Sequence, residues 1–127
     1  MNYLYEDLSH QIIGAAILIH KALGSGHKES IYHKALIEEF NKQKITFNTE
    51  QKIPISYNAV KVGIYQPDFV IEEKIIVELK AVPFLSKNHK DQLTHYLRGS
   101  TYKLGLLINF GEFHINVKRI IYDTARS

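Results

Sequence analysis

The chain has 127 residues, of which 45% are hydrophobic and 23% charged, which is typical of one globular domain and unlike a disordered chain. Cysteine is absent, which excludes a disulfide framework, a thiolate zinc site and a cysteine nucleophile. The net charge of +3 is modest, but six basic against two acidic residues place +4 between positions 74 and 103. Such a cluster can attract phosphate groups, although a solvated charged surface is the simpler explanation.

The sequence contains no sign of membrane insertion or export. No stretch approaches the roughly 18 consecutive apolar residues of a membrane span, and the N-terminus, with Glu6 and Asp7, does not resemble a signal peptide. We therefore expect a cytoplasmic protein with no membrane partner. Because no internal repeat or linker-like stretch interrupts the chain, residues 1–127 are predicted to form a single domain.

The first half of the chain has the period of helices, and the second half is dominated by strands. Apolar residues recur at three- and four-residue steps over residues 5–23, Gly24 and Gly26 end this helix, and a second helix is predicted over 28–42. A third helix is expected over 87–98, after an N-cap at Ser86. Strands are predicted over residues 45–47, 53–57, 60–71, 75–81, 104–110 and 114–122.

Among these strands, 60–71 and 75–81 are the strongest candidates, and Pro54 suggests that 53–57 lies at an edge. The predicted element order is α-α-β-β-β-α-β-β. This order indicates an α/β fold with a mixed central sheet flanked by helices.

Two acidic residues and a lysine lie on the two strongest strand candidates. If these strands form a hairpin centred on Glu73, Asp68 lies opposite Glu78, and Lys80 shares the face of Glu78. Opposed like charges destabilise a sheet, and a divalent cation between the carboxylates would relieve that repulsion. Mg²⁺ is the candidate, with Mn²⁺ as a substitute, because it prefers hard oxygen ligands and retains waters beside a phosphate.

A metal held in this way indicates phosphodiester hydrolysis. The cation would polarise the phosphate and acidify a water, while Lys80 would orient that water or stabilise charge in the transition state. The same residues also fit an exposed hairpin face, with Glu78 and Lys80 in solvent and Asp68 in a turn after Pro67. A short D-x₉-E-x-K pattern often arises by chance, so the spacing alone does not decide between the two.

Other polar residues fall on helices at suggestive positions. Glu29 shares one side of the second helix with Tyr32, as a site carboxylate would, although a helix cap or a favourable charge at the N-terminus explains it too. Gln92 and Tyr96 are four residues apart on the third helix. Of the seven histidines only His89, one turn before Gln92, is placed near a substrate, and no pair has the spacing of zinc ligands.

The motifs resemble those of a known nuclease family. The signature of the GxxExxY family, which is assigned to the PD-(D/E)XK nuclease superfamily, resembles Gly26-His27-Lys28-Glu29-Ser30-Ile31-Tyr32. The defining motif of the superfamily matches Pro67-Asp68 followed by Glu78-Leu79-Lys80, and the Q-x-x-x-Y helix motif of its RecB-like and lambda-exonuclease-like branches resembles Gln92 to Tyr96. The resemblance extends from Ile12 to about Ile121, with the motifs in the same order.

This resemblance implies a restriction-endonuclease-like core with a metal site at the mouth of the central hairpin. It assigns Asp68 and Glu78 as metal ligands and Lys80 as the catalytic lysine. It also assigns Glu29 as a further acid at the metal and Gln92 as a residue that lines the site.

The resemblance further implies that Tyr96 supports the site or meets the nucleic-acid backbone, and Lys87 and Lys90 are candidate substrate contacts. The expected function is that of a Mg²⁺-dependent nuclease acting on DNA rather than RNA, and a homodimer is one way for so small an enzyme to cut two strands. The alternative is a nucleic-acid-binding or protein-interaction module that keeps the fold without turnover. A buried ion cluster with a structural role is a third interpretation.

Overall fold

The computed structural model describes residues 4–123, and its elements alternate between helices and short strands along the chain. The helices and strands within that range are α1 Glu6–Leu23, α2 Glu29–Lys42, β1 Phe47–Asn48, β2 Ile53–Tyr57, β3 Val60–Tyr65, β4 Phe69–Ile71, β5 Ile75–Lys80, α3 Lys87–Gly99, β6 Leu104–Asn109 and β7 Asn116–Ile121. No helix in this part of the chain is both long and apolar enough to cross a membrane.

Five of the strands form one mixed sheet in the order β1-β4-β5-β6-β7. β4 is antiparallel to both β1 and β5, β7 is antiparallel to β6, and the central pair β5 and β6 is parallel. Parallel neighbours need a long crossover connection, and α3 provides it. The mixed sheet flanked by helices confirms the predicted α/β, restriction-endonuclease-like fold class.

The sheet separates two hydrophobic clusters because side chains alternate along each strand. On one face, α1 and α2 pack against residues such as Val77. On the other face, α3 and the β2–β3 hairpin pack against Val70 and Ile76. By the same alternation Glu78 and Lys80, at the end of β5, lie on the side of α3.

The predicted element order is wrong in one respect, because five strands lie between α2 and α3, where the predicted order has three and the predicted ranges give four. The single strand expected over residues 60–71 is divided into β3, which pairs with β2 in a separate two-stranded sheet, and β4, which joins the main sheet. Gln66 and Pro67 lie between them. Proline has no N–H for a strand ladder, so the chain leaves one sheet at this point and enters the other.

The two weaker strand candidates form short separate elements. The segment predicted over residues 45–47 contributes only β1, Phe47–Asn48, at the edge of the main sheet. Pro54 lies in β2, in a two-stranded sheet in which both strands are edges, as the missing N–H of proline predicts.

The loop that follows β5 is fastened to the end of β6 by the fully buried side chain of Asn109. Its Oδ1 accepts hydrogen bonds from the N–H groups of Val82 and Gly111, and its Nδ2 donates to Val82 O and to the carboxylate of Glu112, at 2.7 to 3.1 Å. The amide is therefore fully satisfied. Gly111 permits this close approach, because an added Cβ would lie 2.2 Å from Val82 O.

Substitution of Gly111 tests this packing. Gly111→Ala should lower the free energy of unfolding by about 1–3 kcal/mol, because the new methyl group must displace backbone atoms of Val82. Gly14→Ala, in the middle of α1, is the matched control: an added Cβ there meets no atom within 4 Å, and alanine should stabilise the helix by up to about 1 kcal/mol. Urea denaturation followed by circular dichroism measures both. Shifts of the same sign would contradict the close contact described at Gly111.

Candidate functional site

The Asp68 and Glu78 side chains meet where β4 begins and β5 ends. The observed pairs Phe69 with Val77 and Ile71 with Ile75 confirm the hairpin register predicted around Glu73. Beyond the last pair, the Asp68 N–H donates to Glu78 Oε1 at 2.8 Å, and the Leu79 N–H donates to Asp68 Oδ2 at 2.8 Å. Each carboxylate is thus held by the backbone of the opposite strand.

The two carboxylates interact unfavourably in this position. Burial of its carboxyl group raises the pKa of Glu78 to about 7, and the negative charge of Asp68 contributes to the rise. The hydrogen bond from the Asp68 backbone, the neighbouring Tyr65 hydroxyl and the positive charge of Lys80 oppose it. Lys80 lies two residues after Glu78 on the same strand face and is partly exposed. The structure therefore brings together the two acids and the lysine that the sequence singled out.

Glu29 approaches these residues from the first turn of α2. Its side chain is largely exposed, and its limited burial is the main cause of its raised pKa, followed by the charge of Asp68. Lys80 and His33 act in the opposite direction. Glu29 is therefore close enough to Asp68 and Lys80 for their charges to act on it, and its assignment as a further acid at the metal stays a prediction.

His33, one turn after Glu29, is a site neighbour that the sequence analysis did not identify. Its ring stacks on Phe69 with a centroid distance of 4.5 Å, and its Nε2 lies 3.3 Å from Asp68 O. The four-residue spacing from Glu29 places both residues on one side of α2, and this was the only available signal. His33 thereby braces the start of β4.

On the α3 side, Tyr65 and Tyr96 form an aromatic pair next to Glu78. Their rings stack with centroids 3.7 Å apart and 3° between planes. Burial raises the pKa of Tyr65, and the charge of Glu78 is the next cause, so the hydroxyl lies close to that carboxylate. Tyr96 therefore stacks on Tyr65 at this side of the pair, and the two roles expected for it stay predictions. Tyr65 was not predicted, because it was assigned to the middle of one long strand.

The remaining predicted residues lie along α3. Gln92 is exposed and makes no side-chain hydrogen bond with the rest of residues 4–123. The Lys87 Nζ lies 2.6 Å from Asp91 Oδ2 in an exposed pair, whereas Lys90 forms no ion pair within the described chain. His89, expected near the substrate, caps α3 instead: its Nδ1 accepts a hydrogen bond from the Ser86 N–H.

The donor set at the carboxylate pair fits a hard divalent cation. Each of Asp68 and Glu78 has one oxygen fixed by a backbone N–H, which leaves a second oxygen for a cation such as Mg²⁺ or Mn²⁺. Across residues 4–123 no three His, Asp or Glu side chains are grouped tightly enough to hold a metal. Glu29 is therefore near the pair without completing a three-residue cluster, and waters and a phosphate would have to supply the other ligands.

The raised pKa of Glu78 has a consequence for stability. Because this pKa is about 7 in the fold against an ordinary value of 4.5, the folded protein retains a proton that the unfolded chain has released at intermediate pH. Without divalent metal, the free energy of unfolding should therefore fall as the pH rises from about 4.5 to 7. Glu78→Gln should remove most of this fall and stabilise the protein at pH 8, since the amide still accepts from the Asp68 N–H.

Urea denaturation at pH 5 and pH 8 measures this effect. The control is Glu38→Gln, which changes an exposed carboxylate on α2 and should leave the pH dependence unaltered. If wild type and Glu78→Gln respond alike to pH, the electrostatic description of the pair is incorrect.

Comparison with known proteins places the chain in a family. The family model described as the PD-(D/E)XK nuclease superfamily matches residues 6–120. No curated protein and no solved structure matches the chain significantly. The match does not establish the GxxExxY assignment, which stays a prediction. The family match spans nearly the whole chain and includes every motif discussed. Membership of this superfamily indicates a nuclease whose partner is a nucleic acid. The chain belongs to the PD-(D/E)XK nuclease superfamily.

Proposed function

We propose that this protein is a metal-dependent nuclease that hydrolyses phosphodiester bonds in DNA, with Asp68 and Glu78 as ligands of Mg²⁺ and Lys80 as the catalytic lysine. The observation that most supports this is the carboxylate pair itself, fixed by two 2.8 Å hydrogen bonds to backbone amides. Burial and, after it, the charge of Asp68 raise the pKa of Glu78 and reduce stability, and such costs are typical of functional sites. A bound cation offsets that cost.

Each nearby group has a role in this proposal. When bound, Mg²⁺ supplies positive charge at the phosphate and makes a water more acidic. The ammonium group of Lys80, on the face of Glu78, donates hydrogen bonds to the phosphate or orients the attacking water. Glu29, in the first turn of α2, accepts a hydrogen bond from a water at the carboxylate pair. Gln92 is exposed on α3, and its amide is available to the substrate.

The surface of α3 offers one lysine more readily than the other to a nucleic acid. Lys87 is paired with Asp91, whereas Lys90 has no ion pair within residues 4–123. Lys90 is therefore the stronger candidate for a phosphate contact, and Tyr96 supports the site through Tyr65. DNA is proposed over RNA because DNA is the usual substrate of the superfamily. A homodimer would provide the second carboxylate pair needed to cut both strands of a duplex.

Lys80→Ala tests the catalytic role. The variant should lose about 100-fold or more of the metal-dependent cleavage rate, because it removes a preorganised donor to the developing charge. Its fold and nucleic-acid affinity should change little. Lys74→Ala is the matched control, because Lys74 is exposed in the turn at the opposite end of β5. This variant should cleave at the wild-type rate.

Single- and double-stranded DNA and RNA, each incubated with Mg²⁺ or Mn²⁺, form the substrate panel. Cleavage by Lys80→Ala at the wild-type rate would refute the role of the lysine. Salt-dependent binding without cleavage by the wild-type protein would favour the binding module instead.

Metal binding can be tested without a substrate. Mn²⁺ should raise the unfolding temperature of the wild-type protein, and a crystal soaked in Mn²⁺ should show an anomalous peak between Asp68 and Glu78. Asp68→Asn should abolish both effects, because it removes a charged ligand, and should stabilise the metal-free protein by relieving repulsion on Glu78. Equal Mn²⁺ stabilisation of wild type and Asp68→Asn would rule out this site.

A further inference from the structure

The hydroxyl of Tyr65 is an unsatisfied polar group in the interior. Tyr65 is the last residue of β3, the residue is only 5% exposed, and its hydroxyl has no partner at ordinary hydrogen-bond geometry in the described part of the chain, although the Glu78 carboxylate lies close enough to act on it. Buried polar groups in native proteins are nearly always paired. Phenylalanine would fill the same space without an unpaired oxygen, so packing alone does not account for a tyrosine here.

The ring of Tyr65 is held so that this hydroxyl lies beside the carboxylate pair. Tyr96 on α3 stacks against one side with 3.7 Å between centroids. The backbone of Tyr65 is paired with Ile53 on β2, and both residues belong to the cluster under α3. The ring has little freedom to swing away. Glu78 and Asp68 are the acidic groups that act on this hydroxyl electrostatically, Glu78 more strongly.

We propose that Tyr65 is a positioning residue, whose hydroxyl donates a hydrogen bond to the Glu78 carboxylate and holds it in the orientation that binds the metal. The proposal rests on the proposed function, because it assigns Glu78 as a metal ligand. Glu78 Oε1 accepts from the Asp68 N–H, so a second donor fixes the remaining rotation of the carboxylate. Donors of this kind behind a metal ligand contribute about 10- to 100-fold in metal affinity.

Tyr96 acts on the metal through Tyr65 in this arrangement. Its ring fixes the ring of Tyr65 and does not need to touch the substrate. Tyr96, the tyrosine of the Q-x-x-x-Y pattern, would then be linked to Glu78 through Tyr65. Tyr65 belongs to the two-stranded sheet, whereas Glu78 belongs to the five-stranded one.

Tyr65→Phe tests the proposal directly, because it keeps the ring and removes only the hydroxyl. Mn²⁺ affinity measured by calorimetry should fall about 10- to 100-fold. The unfolding temperature of the metal-free protein should change little, since the ring and its packing are kept and only a hydroxyl without a partner at ordinary hydrogen-bond geometry is lost. In cleavage assays the Mn²⁺ concentration for half-maximal rate should rise by the same factor, and the rate at saturating Mn²⁺ should fall less.

Tyr102→Phe is the matched control. The Tyr102 hydroxyl is bonded to Gln51 at 2.9 Å and lies 3.3 Å from Glu73, at the opposite end of the main sheet from Asp68. Its removal should lower the unfolding temperature and leave Mn²⁺ affinity unchanged. This is the reverse of the result expected for Tyr65.

The possible outcomes separate this inference from the proposed function. Wild-type affinity in Tyr65→Phe, with binding lost in Asp68→Asn, would overturn the inference alone. No Mn²⁺ binding by the wild-type protein would overturn both.

Tyr96→Leu provides a second test, because it removes the stacking ring and leaves the Tyr65 hydroxyl in place. Mn²⁺ affinity should fall, and the double variant with Tyr65→Phe should lose less than the sum of the two single losses, since both act through Glu78. Independent, additive losses would overturn the part assigned to Tyr96.

Discussion

Two hydrogen bonds join β4 to β5 beyond the last pair of their ladder, and in both a carboxylate oxygen replaces a backbone carbonyl as acceptor. Asp68 and Glu78 are therefore fixed by the opposite strand and cannot separate to reduce their repulsion without breaking the strand pairing. This explains how a sheet keeps two acids together without a basic group between them. Burial of Glu78 and the charge of Asp68, held beside it, together raise the pKa of Glu78. The other groups of the candidate site, among them Glu29, Lys80 and Tyr65, lie around this pair.

The pair lies between the two layers of the molecule, and each layer contributes different chemistry. From the layer formed by α1 and α2, the helix α2 contributes Glu29 and His33, which lie along one side of it. From the other layer, Tyr65 and Tyr96 form an aromatic wall against Glu78. The break at Pro67 makes this possible, because it lets the chain end one sheet at Tyr65 and begin another three residues later with Asp68 at its start. In one continuous strand, Tyr65 and Asp68 would both belong to the same sheet.

The sequence was sufficient to predict features that depend on the spacing of residues close together along the chain. The fold class, the N-cap at Ser86 and the register that sets Asp68 against Glu78 follow from hydrophobic period, capping chemistry and the centre of one hairpin. The division of residues 60–71 could not be foreseen as readily, because the apolar pattern continues on both sides of Gln66 and Pro67. For the same residues, β-propensity does not say which sheet a strand will join.

Tyr65 and His33 were not predicted because their relation to the site is purely tertiary. Neither forms part of a spaced motif with Asp68 or Glu78, and a single sequence holds no record of neighbours across a layer. His89 shows the opposite failure: its spacing suggested the site, but its ring satisfies the N–H of Ser86 at the start of α3. The ring nitrogen of His89 is taken up by a backbone donor at the helix end, a role that the spacing from Gln92 does not indicate.

The separation of β2 and β3 from the main sheet makes local opening a route to inactivation. This hairpin shares no strand ladder with the five-stranded sheet and is attached to it by side-chain packing, with Val60 and Val62 exposed on its outer surface. A unit attached in this way can detach at a smaller free-energy cost than global unfolding. Its departure would withdraw Tyr65 from Glu78 while the parallel core stayed intact. On warming, the proposed metal site at Asp68 and Glu78 would then lose Tyr65 before the helices melt.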